Sequence, residues 1–176
     1  MELTQEYLKQ CLDYNPDTGV FVWKKRPVEH FKGERWMKTF ISRFSGKQAG
    51  LTNSYGYLVI RINDKLMPCH RLAWLYVHGV MPVNQLDHIN NIRSDNRIIN
   101  LREATNGENG QNLKKARKSN KTAGLLGAYR NKGCKHYKAR ITINGDIKPL
   151  GKFNTAQEAH EAYIKAKREL HEFNTL

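Results

Sequence analysis

Apolar residues near the start of the chain recur at helical spacing. Tyr7, Leu8, Cys11 and Leu12 share one face and Thr4 can cap it, so a short helix is expected over Thr4 to Leu12. Asn15-Pro16-Asp17-Thr18-Gly19 is a turn signal, and Val20-Phe21-Val22-Trp23 after it reads as a strand. Periodicity then lapses through Lys24 to Lys47, although Trp36, Phe40, Ile41 and Phe44 show that part of this segment folds onto something. Tyr57 to Ile62 and Leu66 to Cys69 read as two strands joined at Asn63-Asp64. His70 to His78 returns to helical spacing with Leu72, Ala73, Leu75 and Tyr76; Gly79 suits its end and Pro82 follows.

The last third has a different pattern. Ala128 to Arg130, Tyr137 to Ile143 and Ile147 to Phe153 read as strands, with Asn144-Gly145 as a hairpin turn because both residues tolerate positive φ. In the middle strand Tyr137, Ala139, Ile141 and Ile143 alternate with Lys138, Arg140 and Thr142, giving one apolar and one basic face. Pro149 places the third strand at an edge or at a bulge. Thr155-Ala156-Gln157-Glu158 is a capping box, and the helix it opens carries Ala156, Ala159, Ala162, Tyr163, Ala166 and Leu170 on one side. Those small residues let the helix pack closely on the apolar face and leave the basic face open. The fold class expected is α+β, with a module over residues 1–112, a basic linker over 113–123 and a three-stranded antiparallel sheet on one helix over 124–176.

Charge narrows the partner. The 176-residue chain has a formal net charge of +14 and a sequence pI of about 9.8. Such an excess of Lys and Arg suits a polyanion, because each phosphate contact releases counterions. Between the modules, Lys114, Lys115, Arg117 and Lys118 are interleaved with polar residues and suit a backbone-tracking joint. No stretch reaches transmembrane length, and Met1-Glu2-Leu3-Thr4 has no basic or apolar leader, so a cytoplasmic protein without membrane association is expected. Three cysteines, Cys11, Cys69 and Cys134, lie far apart and are odd in number, which argues against a disulfide framework or a paired zinc knuckle.

The candidate chemistry sits in Leu86-Asp87-His88-Ile89-Asn90-Asn91, followed by Asn100-Leu101-Arg102 and Glu108-Asn109. Phosphodiester hydrolysis needs a group to take a proton from water and a cation to neutralise the growing charge. An ordinary imidazole, with a pKa near ~6.5, lets His88 accept that proton near neutral pH. Neighbouring strand side chains point apart, so Asp87 is left to reach a cation on the other side. Thr105 can cap a helix with Asn109 one turn inside, and an Asp–Asn oxygen pair suits Mg²⁺ or Mn²⁺. Asn100 can either hold the loop or orient the imidazole. His70 can buttress the site or touch a phosphate, and a structural histidine is the better reading.

These runs resemble the HNH endonuclease family, in the variant whose last position is Asn, as in phage and intron-encoded homing nucleases. The likeness takes in Tyr57 to Ile62, His70-Arg71-Leu72-Ala73-Trp74 and Asp95-Asn96-Arg97, and covers roughly Leu3 to Asn112. It implies a ββα-metal fold with one divalent ion per chain. By it, Asp87 and Asn109 are metal ligands, His88 is the general base and Asn100 is the structural asparagine of the catalytic site. Asn109 replaces the family's usual last histidine, which favours Mg²⁺ or Mn²⁺ over a zinc-type site. The products implied carry 5′-phosphate and 3′-hydroxyl ends.

The C-terminal part resembles the plant-type APETALA/ethylene-response-factor DNA-binding domain, through Tyr137-Lys138-Ala139-Arg140-Ile141, Leu150-Gly151-Lys152-Phe153 and Thr155 to Tyr163. That likeness implies a sheet laid in the major groove of double-stranded DNA. Arg130, Lys132, Lys138, Arg140, Thr142, Lys148 and Lys152 are its candidate contacts, and Lys114, Lys115, Arg117 and Lys118 would follow the backbone. The expectation is a two-module DNA endonuclease, monomeric or dimeric on DNA. A non-cutting regulator and an RNA-binding protein are the competing readings.

Overall fold

Thr4 caps the first helix as its position suggests, its hydroxyl accepting from the Tyr7 amide, and α1 runs Gln5–Cys11. The structure, a computed structural model, describes residues 3–175. It is a mixed α+β chain of small antiparallel sheets that divides into two compact units, residues 1–103 and 104–176.

In the first unit, β1 (Leu12–Asn15) continues directly from α1 and pairs with β2 (Val20–Trp23) across the predicted turn. Sequence periodicity gave no sign of β1, because four residues alternating between buried and exposed positions are too few to stand out. The basic segment after β2 is ordered. Its helix, α2 (Glu34–Phe44), turns Phe40 inward against Trp23 and Phe31, with ring centroids 5.2 and 5.3 Å apart. Arg26 is buried between the rings of Phe31 and Phe40 and donates to the Tyr7 hydroxyl at 2.9 Å. A guanidinium is planar and weakly hydrated, so an aromatic cage can hold it. Arg35, Lys38 and Arg43 face outward from α2.

β3 (Gln48–Ala49) joins the first sheet, and β4 (Leu51–Thr52), β5 (Leu58–Ile62) and β6 (Lys65–Pro68) form a second. α3 (Cys69–His78) follows and ends at Gly79 in the left-handed region, as the sequence predicts. α1 and α3 bury Leu8, Cys11, Leu72, Ala73 and Leu75 in one core with Tyr14, Phe21 and Ile60. Then come β7 (Gln85–His88) and β8 (Leu101–Ala104), paired as a two-stranded sheet.

The β1–β2 turn lies beneath the loop that joins β7 to β8. The Tyr14 hydroxyl donates to the Asn96 carbonyl at 2.7 Å, and the Ile98 amide donates to the Pro16 carbonyl at 3.3 Å. Gly19, at φ +71°, comes so close that a Cβ there would sit 2.5 Å from the Arg97 nitrogen. Only glycine fits both that conformation and that gap.

The second unit holds α4 (Asn106–Gln111), β9 (Ala128–Tyr129), β10 (Tyr137–Ile143), β11 (Asp146–Phe153) and α5 (Ala156–Leu170). The sheet order is β11-β10-β9, with α5 packed on it through Ala159 and Tyr163. Asn144 and Gly145 take φ of +51° and +94° at the hairpin turn. Thr155 caps α5, but the Glu158 carboxylate accepts from the Asn154 amide, one residue before the position a capping box would use. β11 is an edge strand and also bulged: Gly151 faces Ala139 while Pro149 faces Arg140, leaving Leu150 as the extra residue.

The unit boundary at 103/104 differs from the sequence division at 112/113. Residues 111–113 are tied to the end of the chain: Lys167 donates to the Leu113 carbonyl, the Phe173 amide to the Gln111 side chain at 3.3 Å, and Thr175 to Asn112 at 2.6 Å. Asn120, inside the stretch read as linker, donates to the carbonyls of Leu125 and Ala128 at 3.0 and 2.8 Å. Basic composition gave no hint of these contacts, all of which except the Lys167 bond are made by neutral polar groups.

Candidate active site

Asp87 and His88 close β7, and both are buried, at 9 and 5 % exposure. A buried carboxylate needs a compensating charge. Arg102, on the partner strand β8, supplies it with two hydrogen bonds of 3.0 and 2.9 Å, both to Asp87 Oδ2. Arg102 stands within the run Asn100-Leu101-Arg102, and nothing in its spacing distinguishes a counter-ion from an exposed arginine.

The loop from β7 to β8 is folded around Asn100. Its Oδ1 accepts from the Asn90 amide at 3.0 Å, and its Nδ2 donates to Asn90 Oδ1 at 3.0 Å and to the Asp95 carbonyl at 2.9 Å. The Ile89 amide donates to the Asn100 carbonyl at 2.9 Å. Asn91, at φ +64°, supplies the left-handed residue that the reversal needs. Of the two roles the sequence left open for Asn100, these contacts belong to holding the loop. Asp95 adds a second brace. Its carboxylate accepts from Asn90 Nδ2 at 2.7 Å and from Arg97 at 2.8 and 2.6 Å, and the Arg97 bonds hold its pKa down at about 2.

Around His88 stand two further rings. His70, on the first turn of α3, lies edge-on to it with centroids 5.1 Å apart; Tyr57 is 5.9 Å from His88 and 5.3 Å from His70. Burial lowers the His88 pKa, with Arg93 adding to the effect while Asn96, Asp87 and Asp95 oppose it. His70 is pushed down to about 4, chiefly by burial and then by His88 and Arg71, and its buried Nδ1 has no hydrogen-bond partner among the described residues.

Asn109 lies on α4, in the second unit. Thr105 caps that helix as expected, and a full capping box forms: Thr105 Oγ1 accepts from the Glu108 amide and the Glu108 carboxylate accepts from the Thr105 amide at 2.7 Å. The Asn109 amide donates to the Thr105 carbonyl at 2.9 Å, so its side chain leaves the helix one turn in.

The candidate DNA contacts are distributed unevenly over the second unit. By register Lys138, Arg140, Thr142 and Lys152 share the face turned away from α5. The bulge at Leu150 shifts the alternation, so Lys148 pairs with Ile141 and falls on the opposite side. Strict alternation from Lys152 would have kept the two lysines together. Two arginines stack on tyrosines, Arg140 at 5.0 Å over Tyr129 and Arg130 at 4.8 Å over Tyr137. Lys132, Lys114, Lys115, Arg117 and Lys118 are exposed.

Residues 68–111 match the family model HNH_3, HNH endonuclease. The match takes in α3, β7, β8 and α4, about a quarter of the chain, and therefore contains Asp87, His88, Asn100, Arg102 and Asn109. It supports nuclease activity with DNA as substrate. No curated protein and no solved structure matches the chain. Among the described residues no helix is long and apolar enough to cross a membrane.

Proposed function

We propose that this chain is a metal-dependent endonuclease of double-stranded DNA, with His88 as general base and Asp87 and Asn109 as the ligands of one Mg²⁺ or Mn²⁺ ion. The observation that carries the reading is the Asp87–His88 pair, buried at the end of β7 inside the matched segment. A carboxylate and an amide are hard oxygen donors and fit such an ion. When bound, the ion would supply positive charge at the leaving 3′ oxygen and the phosphate. His88, its pKa lowered by burial, stays unprotonated at neutral pH and can accept the proton of the attacking water. Asn100 keeps the loop beside it in place. Arg102 holds the Asp87 carboxylate in position through its two hydrogen bonds.

The order β7–β8–α4 along the chain supports the reading of a ββα-metal module. The C-terminal unit would serve as the address, an APETALA/ethylene-response-factor-type sheet with Lys138, Arg140, Thr142 and Lys152 toward the major groove. Arg130, Lys132, Lys148 and the 114–118 cluster would reach phosphates beside it. One catalytic site per chain nicks one strand, and a dimer assembled on DNA would cut both. Residues 1–112 would form the cutting module and 113–123 the basic joint. The biological setting this suits is a phage homing-type nuclease working in the host cytoplasm.

The test is cleavage of supercoiled plasmid with Mg²⁺, Mn²⁺ or EDTA by wild type and His88→Ala. Metal-dependent open circles from wild type alone are expected, with DNA binding unchanged in the variant. Tight binding without cutting under every condition would replace this reading with that of a regulator.

A further inference from the structure

Three arginines lie between His88 and the end of β8, and the chain treats them differently. Arg97 grips the Asp95 carboxylate and Arg102 grips that of Asp87. Arg93 has no carboxylate partner among the described residues. It is nevertheless fixed. Its Nη1 donates to the Tyr55 carbonyl at 2.7 Å, and its guanidinium lies 5.1 Å from the centre of the Tyr57 ring. Both anchors are neutral.

The anchors are themselves well supported. Asn53 Oδ1 accepts from the amides of Tyr55 and Tyr57 at 2.9 and 3.0 Å, and the Gly56 amide closes the turn onto the Asn53 carbonyl at 2.9 Å. This turn holds a carbonyl and a ring at one spacing. The Tyr57 ring is also the one that stands 5.9 Å from His88. One tyrosine therefore carries a guanidinium and flanks the imidazole.

Ordering a long side chain costs rotamer entropy, and an unneutralised cation repels its basic surroundings. A guanidinium offers five donors, of which the Tyr55 carbonyl uses one. An exposed guanidinium, immobilised on the ring that flanks the imidazole and not neutralised there, is complementary to an oxyanion delivered to that place.

We propose that Arg93 binds the DNA phosphate that lies against His88, orienting it for attack. The inference rests on the reading of His88 as the base of a DNA endonuclease. It assigns the turn at 53–57 a part in substrate binding, by way of Tyr55 and Tyr57.

The experiment compares wild type, Arg93→Ala and Arg93→Lys in two measurements. The first is the salt dependence of equilibrium binding in EDTA, using a duplex of a sequence that wild type cuts, or plasmid if it cuts none. Loss of one phosphate contact should reduce the log–log slope by about 0.9 in Arg93→Ala, whereas Arg93→Lys keeps the wild-type slope. The second is single-turnover cleavage at saturating protein, where Arg93→Ala should fall about a hundredfold and Arg93→Lys should recover part of the rate. An unchanged slope in Arg93→Ala overturns the proposal, as does an unchanged single-turnover rate. Absence of cutting by wild type would remove the endonuclease reading by itself; a reduced slope in Arg93→Ala would still place a phosphate at Arg93.

Discussion

Replacing Asn100 by alanine removes three side-chain hydrogen bonds at once, two to Asn90 and one to the Asp95 carbonyl. At about 1 kcal/mol net for each bond the loss is about 3 kcal/mol. Asn100 is only 6 % exposed, so water cannot take over its place fully. Two of the orphaned partners are backbone groups that cannot rotate away. The readout is favourable, because Trp23, Trp36 and Trp74 all lie in the first unit. Urea unfolding followed by tryptophan fluorescence therefore reports on that unit, and its midpoint should fall at constant slope. Plasmid nicking should fall with it even under conditions where the protein stays folded, because the loop carries Arg93 and Asn96 past His88. A loss below about 1 kcal/mol with full nicking would refute the argument, and would mean that the Asp95–Arg97 and Asn90–Asp95 contacts suffice to hold the loop.

Gly127→Ala should destabilise the second unit by about 3 kcal/mol or more, from overpacking and a strained backbone together. Its φ is +76° and a Cβ would fall 1.9 Å from Tyr163 Cγ, so a wild-type melting temperature by circular dichroism would contradict the packing of α5 on β9. His70 makes stability depend on pH. An unfolded histidine titrates near ~6.5 and folded His70 at about 4, so its contribution is complete above the first value and drains as pH falls toward the second. That span is worth about 3 kcal/mol; His70→Gln should lose less stability than wild type between pH 7 and 4.5, and equal losses in urea titrations would disprove the assignment. Arg102→Gln should cost about 2–3 kcal/mol without metal, and Mn²⁺ at a hundredfold excess over its Kd should return about 2.7 kcal/mol. Wild type should gain less, since guanidinium and cation compete for Asp87; equal Mn²⁺ effects in the two proteins would argue against Asp87 as a ligand.

Where the sequence was legible, a single physical rule acted locally. Thr4, Thr105 and Thr155 cap helices because a hydroxyl meets an amide three residues on. Alternation in Tyr137–Ile143 marks a strand buried on one side. The Asp87–His88 pair was visible through its spacing to Asn100-Leu101-Arg102 and Glu108-Asn109, since the pair alone would mean little. The arrangements that sequence missed depend on distant partners. Arg26 disappears into an aromatic cage assembled from three segments, which its place in a basic, poorly periodic run does not reveal. One inserted residue at Leu150 moved Lys148 across the sheet, which no alternation rule can foresee without the pairing register. The different fates of Arg93, Arg97 and Arg102 follow from which carboxylate stands within reach, a property of the folded loop alone.

The turn at 15–19 bears on portability. The contacts that Tyr14 and Pro16 make there with Asn96 and Ile98 come from far outside residues 68–111, so the stretch that carries the nuclease signature does not contain the floor of its own loop. A graft of that stretch onto another scaffold would arrive with the loop unsupported at its lowest point. Transplanting this cutting chemistry therefore means carrying the first hairpin along with it, including a glycine at position 19 that no other residue can replace.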